Sequence, residues 1–167
     1  MGDMNGTDCE LTFSLLMLPQ DANPAGNVHG GVIMKHIDSA AGVVAARHAR
    51  SNVVTASIDR LEFHHPVFIG NLLSLRASLN LVGRTSMEVG VRAEAEDLKT
   101  GIIRHVASAY LTFVALDSDG RPMQVPVYSP ASAEARRRHR MAAKRRELRL
   151  AARQSEEECK TDADQCQ

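Results

Sequence analysis

Residues 26–47, GNVHGGVIMKHIDSAAGVVAAR, decide how the rest of the chain is read. A lead-in of turn formers, Asn23-Pro24-Ala25-Gly26-Asn27, gives way to a helical pattern. Val32/Ile33, His36/Ile37, Ala40/Ala41 and Val44/Ala45 recur at helix spacing, which predicts a helix to about His48. Gly30 and Gly31 stand where it begins, and Ser39-Ala40-Ala41-Gly42 fill its middle. Small side chains all round a helix predict packing on several sides rather than along one stripe. One carboxylate, Asp38, lies inside this apolar pattern. An acid there is costly unless it is hydrogen-bonded or used.

Strand patterns flank the helix. Residues 10–18, ELTFSLLML, read as a strand ended by Pro19, and 52–63 is rich in β-branched residues at its start. Over 71–82, Leu73, Leu75, Ala77, Leu79 and Leu81 alternate with Ser74, Arg76, Ser78 and Asn80. Over 86–96, Met87, Val89, Val91, Ala93 and Ala95 do the same, and 102–116 is apolar on both sides near its end. Such alternation marks antiparallel strands with one covered and one wetter face. Short glycine-containing links at 82–84 and 98–101 fit hairpins. The order strand, long helix, four strands predicts an α+β fold with an antiparallel sheet wrapped around one central helix.

With 167 residues, one domain is the default, and 44% hydrophobic residues can build its core. Twenty acidic and twenty basic residues cancel, so overall charge selects neither nucleic acid nor a membrane surface. Cys9, Cys159 and Cys166 lie in the terminal segments without a framework spacing, which argues for a reducing, cytoplasmic setting. No stretch is long and apolar enough to span a membrane, and the acidic start is neither a secretory nor a transit signal. The charge is uneven along the chain. We divide it into a disordered 1–9, a folded domain 10–128, an Arg-rich helix 129–154 and an acidic, disordered tail 155–167.

Gly26-Asn27-Val28-His29-Gly30-Gly31, Met34, Asp38 and Ala41-Gly42 together resemble the signature of the hot-dog-fold acyl-CoA thioesterases. The group resembled includes the cytosolic brain-type long-chain acyl-CoA hydrolase and its bacterial relatives. The likeness continues through 53–57, 63–67, Gly70, 84–89 and 107–113, and covers roughly residues 10 to 127 in order. It implies a five- or six-stranded antiparallel sheet around the helix. It implies homodimers with a continuous sheet, commonly trimers of dimers, and active sites shared between subunits. It also implies an Asn ahead of the HGG block acting with the helix Asp, here Asn27 and Asp38. Thr55, Ser57, His65, Arg84, Thr85 and Ser86 fall in blocks that the resemblance places near coenzyme A. No cofactor beyond the substrate's own CoA is implied. Some relatives carry two repeats with one of these two residues in each. This chain has one repeat with both, so a homodimer would hold two equivalent sites.

The chemistry fits. Asp38 could take a proton from water as general base, or attack the thioester directly; the sequence leaves both open. Backbone N–H groups at His29-Gly30-Gly31 begin a helix and could hold an oxyanion. Asn27 could orient water or carbonyl. Asp38 lies roughly 10 Å along the helix from Gly31, which favours a site shared by two subunits. Bland readings stand beside these. Asn27 could be only a turn residue, Asp38 a structural acid, and Gly30-Gly31 a packing device. Arg84 and the hydroxyls of Thr85 and Ser86 suit phosphate oxygens, or form an ordinary hairpin. His64 and His65 alternate on a strand and cannot chelate together, so no metal is expected.

Two rivals remain. One is a hot-dog enoyl-CoA hydratase or dehydratase using His29 or His36 with an Asp. The other is a non-catalytic acyl-CoA sensor or polyanion-binding oligomer using the Arg-rich helix, otherwise read as a solvated helix or a clamp on the CoA 3′-phosphate.

Overall fold

The alternating segments become the middle of a five-stranded antiparallel sheet. The computed structural model describes the chain from Cys9 to Asp164, with side chains to Ser155. The elements are β1 (Glu10–Leu16), α1 (Gly30–Ala49), β2 (Asn52–Phe63), β3 (Asn71–Val82), β4 (Ser86–Asp97), β5 (Ile102–Leu116) and α2 (Ala133–Asp164). Strand order is β1-β3-β4-β5-β2, with every neighbouring pair antiparallel. The predicted strand limits hold to within about two residues.

Register carries the apolar rows across the sheet. Leu79 pairs with Val89 and Val89 with Leu111; Ala77 pairs with Val91 and Val91 with Ala109. These six are buried and form the floor on which α1 lies. The helix touches all five strands, so the sheet curves round it. Ile33, Ile37, Ala40, Ala41, Val44, Ala45 and Ala49 are its buried side. Met34 and Val43 stay exposed in the single chain, so the second apolar side is not covered by this chain's own sheet. Arg50 ends α1 in the left-handed region at φ 55°, its N–H bonded to Ala46 O at 2.8 Å.

The opposite, outer face of the sheet is not open. After β5 the chain turns at Asp117–Arg121, and Val125 N–H bonds Arg84 O at 3.0 Å. His48 Nε2 meets Pro126 O at 2.9 Å. The chain then enters α2, which lies across the outer face. Its own Ala135 and Ala142 are buried, and it meets the strands in spatial order. Arg138 pairs with Glu10 on β1, and His139 Nδ1 meets Asn80 O of β3 at 3.1 Å. Arg145 pairs with Glu88 of β4 at 2.6 Å and stacks 3.7 Å from the Tyr110 ring centroid of β5. Arg149 pairs with Asp59 of β2.

Two expectations change here. The basic helix is docked rather than simply solvated, because its arginines find carboxylates on three strands. The helix also runs to Asp164, through residues assigned to a disordered tail. Glu is a good helix former, and neither Gly nor Pro occurs between 133 and 164. The start assigned to disorder lies outside the described residues except for Cys9, whose carbonyl accepts the Leu79 N–H. Among the described residues no helix is long and apolar enough to cross a membrane.

Candidate active site

Asp38 projects from the middle of α1 and is half-buried. Thr55 Oγ1 donates to its Oδ1 at 2.6 Å. No donor among the described residues reaches Oδ2, so one carboxylate oxygen is fixed and the other keeps its hydrogen-bonding capacity.

Thr55 reaches α1 because of its register. It pairs with Phe113, whose side chain is buried on the α1 side. A bulge at Ala56 follows, and Ser57 pairs with Thr112 on the outer side. In a regular strand residues 55 and 57 would share a face; one extra residue sends them to opposite faces. Ser57 Oγ donates to Asp59 Oδ1 at 3.1 Å, and Asp59 meets Arg149 of α2. The expected grouping of Thr55 with Ser57 is therefore split. Thr55 belongs with Asp38, and Ser57 with the α2 contact.

The start of α1 is more occupied than a bare helix N-terminus. His29 is its N-cap, and Nδ1 accepts the Gly31 N–H at 2.9 Å. His29 N–H bonds Asp21 O at 2.8 Å. The Gly30 N–H has no partner among the described residues. Of the expected oxyanion donors, Gly30 is the open one. Phe63 lies beside it, 3.7 Å from where a Cβ on Gly30 would stand. Phe63, Phe68 and Met34 are large exposed apolar side chains of these same segments. They were not singled out in the sequence, since exposure cannot be read from hydrophobicity.

The loop before the cap is built by Asn23. Its Oδ1 accepts the N–H groups of Ala25 at 2.9 Å and Asn27 at 3.2 Å. Because both partners can only donate, the oxygen must face them, and Nδ2 is left as the outward donor. Asn27 uses its N–H on Asn23 Oδ1 and its carbonyl on the Asn23 N–H at 2.6 Å, and it bridges to Phe68. In the sequence Asn23 reads as a turn former, which it also is.

His65 Nδ1 meets His105 O at 2.9 Å, beside the rings of His64 and His105, which lie 4.8 Å apart and tilted by 40°. Arg84 is exposed in the β3–β4 turn. Its carbonyl and that of Thr85 hold the Val125 and Ala115 N–H groups. His36 lies on α1 near Phe13, and burial followed by the Lys35 charge holds it below its ordinary value.

A cavity of about 560 Å³ opens elsewhere, between α2 and the outer face, and Asp38 does not line it. Its five arginines, Arg76, Arg92, Arg137, Arg138 and Arg145, each already pair with a carboxylate. Asp38 and Gly30 are eight residues apart, about 12 Å along the axis, too far to act on one small group within one chain.

A family model described as the thioesterase superfamily matches residues 25–102. An uncharacterised acyl-CoA thioester hydrolase of Zymomonas mobilis is 44% identical, over 70% of this chain and 78% of that protein. A solved acyl-CoA hydrolase of Staphylococcus aureus, in complex with butyryl-CoA and CoA, is 34% identical, with a TM-score of 0.82 over 90% of this chain and 92% of that one. Its single-alanine variants replace one Asp, one Asn and one Thr. That Asn stands 15 positions before the Asp and the Thr 17 after it. A hexameric acyl-CoA thioesterase solved without ligand is 38% identical, with a TM-score of 0.83 over 86% of this chain and 92% of that one.

Proposed function

The chain belongs to the thioesterase superfamily, as a hot-dog-fold acyl-CoA thioester hydrolase, and from that premise we propose how its residues divide the work. The reaction is acyl-CoA plus water giving a fatty acid and CoA thiol. One observation carries the assignment. Thr55 clamps one oxygen of Asp38 at 2.6 Å and leaves the other free on a half-buried helix. Asp38 Oδ2 takes a proton from water as that water attacks the thioester carbon, and the sulfur leaves with a proton.

The carbonyl oxygen gathers negative charge and needs donors. The Gly30 N–H, at the positive end of α1, is one. For the second we assign Asn23 in place of Asn27. Counted from Asp38, the spacings of the S. aureus variants fall on Asn23 and Thr55. The Asn23 carboxamide is also oriented by two backbone N–H groups, which leaves Nδ2 as donor. Glycine at position 30 lets the thioester approach the backbone. Phe63, Phe68 and Met34 give the acyl chain an apolar wall.

Since about 12 Å separates Asp38 from Gly30, the complete site uses Asp38 of one subunit with Asn23 and Gly30 of the other. The protomers pair through β2, a 12-residue edge strand that carries exposed Val54 and Ile58 and has no second neighbour among the described residues. The exposed side of α1 then meets its counterpart. Such dimers assemble further into hexamers in the cytoplasm. His65, Arg84, Thr85 and Ser86 stand near the CoA portion, where Arg84 is free to meet phosphate.

Thiol release from short- to long-chain acyl-CoAs tests this. Asp38→Asn should lower kcat by ~10²–10⁴ while the protein stays folded. Asn23→Ala should lower kcat by roughly 10²-fold, and Asn27→Ala by far less. Full activity in Asp38→Asn would overturn the assignment, and loss only in Asn27→Ala would return that role to Asn27. Single turnover in ¹⁸O-water separates the mechanisms. Label goes straight to the fatty acid with water as nucleophile, but into Asp38 if an anhydride forms.

A further inference from the structure

The contacts of α2 follow the sheet from one edge to the other: Glu10 on β1, Asn80 on β3, Glu88 on β4, Tyr110 on β5 and Asp59 on β2. From Arg138 to Arg149 the helix advances about 16 Å. Four strand spacings are about 19 Å. The helix therefore crosses the strands nearly at right angles and reaches the β2 edge at Arg149. It does not stop there. Fifteen more residues, Leu150–Asp164, carry it about 22 Å further in the same direction. Every described side chain from Leu150 to Ser155 is exposed, as expected of a helix that has left its own sheet.

We propose that this overhang is a dimer strap, in which the distal half of α2 lies on the outer face of a second copy, antiparallel to that copy's own α2. The inference rests on the β2-to-β2 pairing given under the proposed function. In that pairing the two-fold axis lies half a strand spacing beyond β2, about 2.4 Å, or about two residues past Arg149. It thus passes near Ala151. Symmetry then sets each position n after 151 opposite the position n before 151 in the other copy.

The sequence matches that alignment. Glu156 and Glu158 come opposite the partner subunit's Arg146 and Lys144. Asp162 comes opposite the partner subunit's Arg140. Between the basic and acidic halves, at the axis, stand Leu148, Leu150, Ala151 and Ala152. Leu148 is 72% exposed in the single chain and Leu150 49%. Basic, apolar, acidic along one helix is complementary to its own reverse. The lateral spacing agrees as well. Asp59, where α2 crosses β2, lies one to two residues from the middle of Asn52–Phe63. With the axis at that midpoint, the two helices run about 10 Å apart, within packing distance.

Cysteine cross-linking of the full-length protein tests the strap, in a background with Cys9, Cys159 and Cys166 changed to Ser. Ala151→Cys should oxidise to a covalent dimer on a denaturing gel, and Lys144→Cys, away from the axis, should not. Ile58→Cys, at the middle of β2, reports the strand pairing separately. Reversing Glu158 and Asp162 to Lys should cut the Ala151→Cys cross-linking rate at least tenfold. Adding Lys144→Glu and Arg140→Glu should restore most of it. A cross-link at 58 but none at 151 overturns the strap and leaves the dimer standing. No cross-link at either position, with the protein sedimenting as a monomer, overturns both. A cross-link at 151 that is indifferent to the charge reversal overturns the antiparallel charge match.

Discussion

Removing the Arg145 guanidinium should unbalance the outer face of the sheet more than any other single change on α2. Glu88 is 2% exposed, beneath the helix. Its partners are Arg145, at 2.6 and 3.3 Å, and Asn80 Nδ2 at 3.2 Å. Arg145→Met keeps the bulk and the helix propensity but leaves a buried carboxylate held by one amide. Charges about 4 Å apart at an effective dielectric of 20 attract by about 4 kcal/mol, and breaking buried pairs from one side costs ~3–5 kcal/mol. For a chain of this size that is a fall in Tm of roughly 6–20 °C. Glu88→Gln should cost less, about 1–2 kcal/mol, because Arg145 keeps the Tyr110 ring and reaches solvent. Glu88→Leu with Arg145→Met should recover most of the loss, since neither charge then remains buried. Urea unfolding at one fixed protomer concentration measures all four proteins. A double variant no more stable than Arg145→Met, or a single variant costing under about 1 kcal/mol, would refute the reasoning.

Thr55→Val should lower kcat about tenfold and Thr55→Ser much less, in the thiol-release assay, since only Val removes the hydroxyl from Asp38. Gly90→Ala should cost about 1–3 kcal/mol by urea unfolding, because its Cβ would stand 2.6 Å from the Asn80 Nδ2 that serves Glu88. Burial, and next the Arg92 charge, hold His105 below its ordinary 6.5, with His64 and Glu94 also facing it. The folded state then binds fewer protons than the unfolded one just below 6.5, so stability is present above that value and is lost as pH falls through the folded pKa. Melting temperature should drop from about pH 7.5 to about pH 5.5, and less steeply in His105→Gln.

The central helix and the strands were legible because each has a clean period. Leu73 to Leu81 alternate, and Val32 to Ala45 recur at three and four. Asp38 was legible as the one acid in that helical pattern. The bulge at Ala56 was not, since nothing in Val-Thr-Ala-Ser marks an extra residue, and Ser57 was set beside Thr55. The docking of α2 was hidden for a related reason. Its buried side is two alanines, and its arginines match carboxylates up to 128 positions away. Asn80 and Glu88 then look like solvent-facing residues of alternating strands until a helix covers them. Asn23 was hidden because its side chain shapes a turn, and a turn former is read for conformation before chemistry.

The extra residue at Ala56 means that β2 keeps two clocks. Before it, odd-numbered positions look toward α1, and Thr55 steadies an acid; just after it, odd-numbered Ser57 looks toward α2. Length between those points is thus itself a coded quantity. Losing one residue there would leave the composition of the strand almost intact. Yet it would turn a residue that anchors α2 toward α1, or the hydroxyl that holds Asp38 toward α2. A strand of this kind tolerates substitution far better than deletion, and a library of single-residue deletions through 54–60 would show it as a sharp notch in an otherwise forgiving profile.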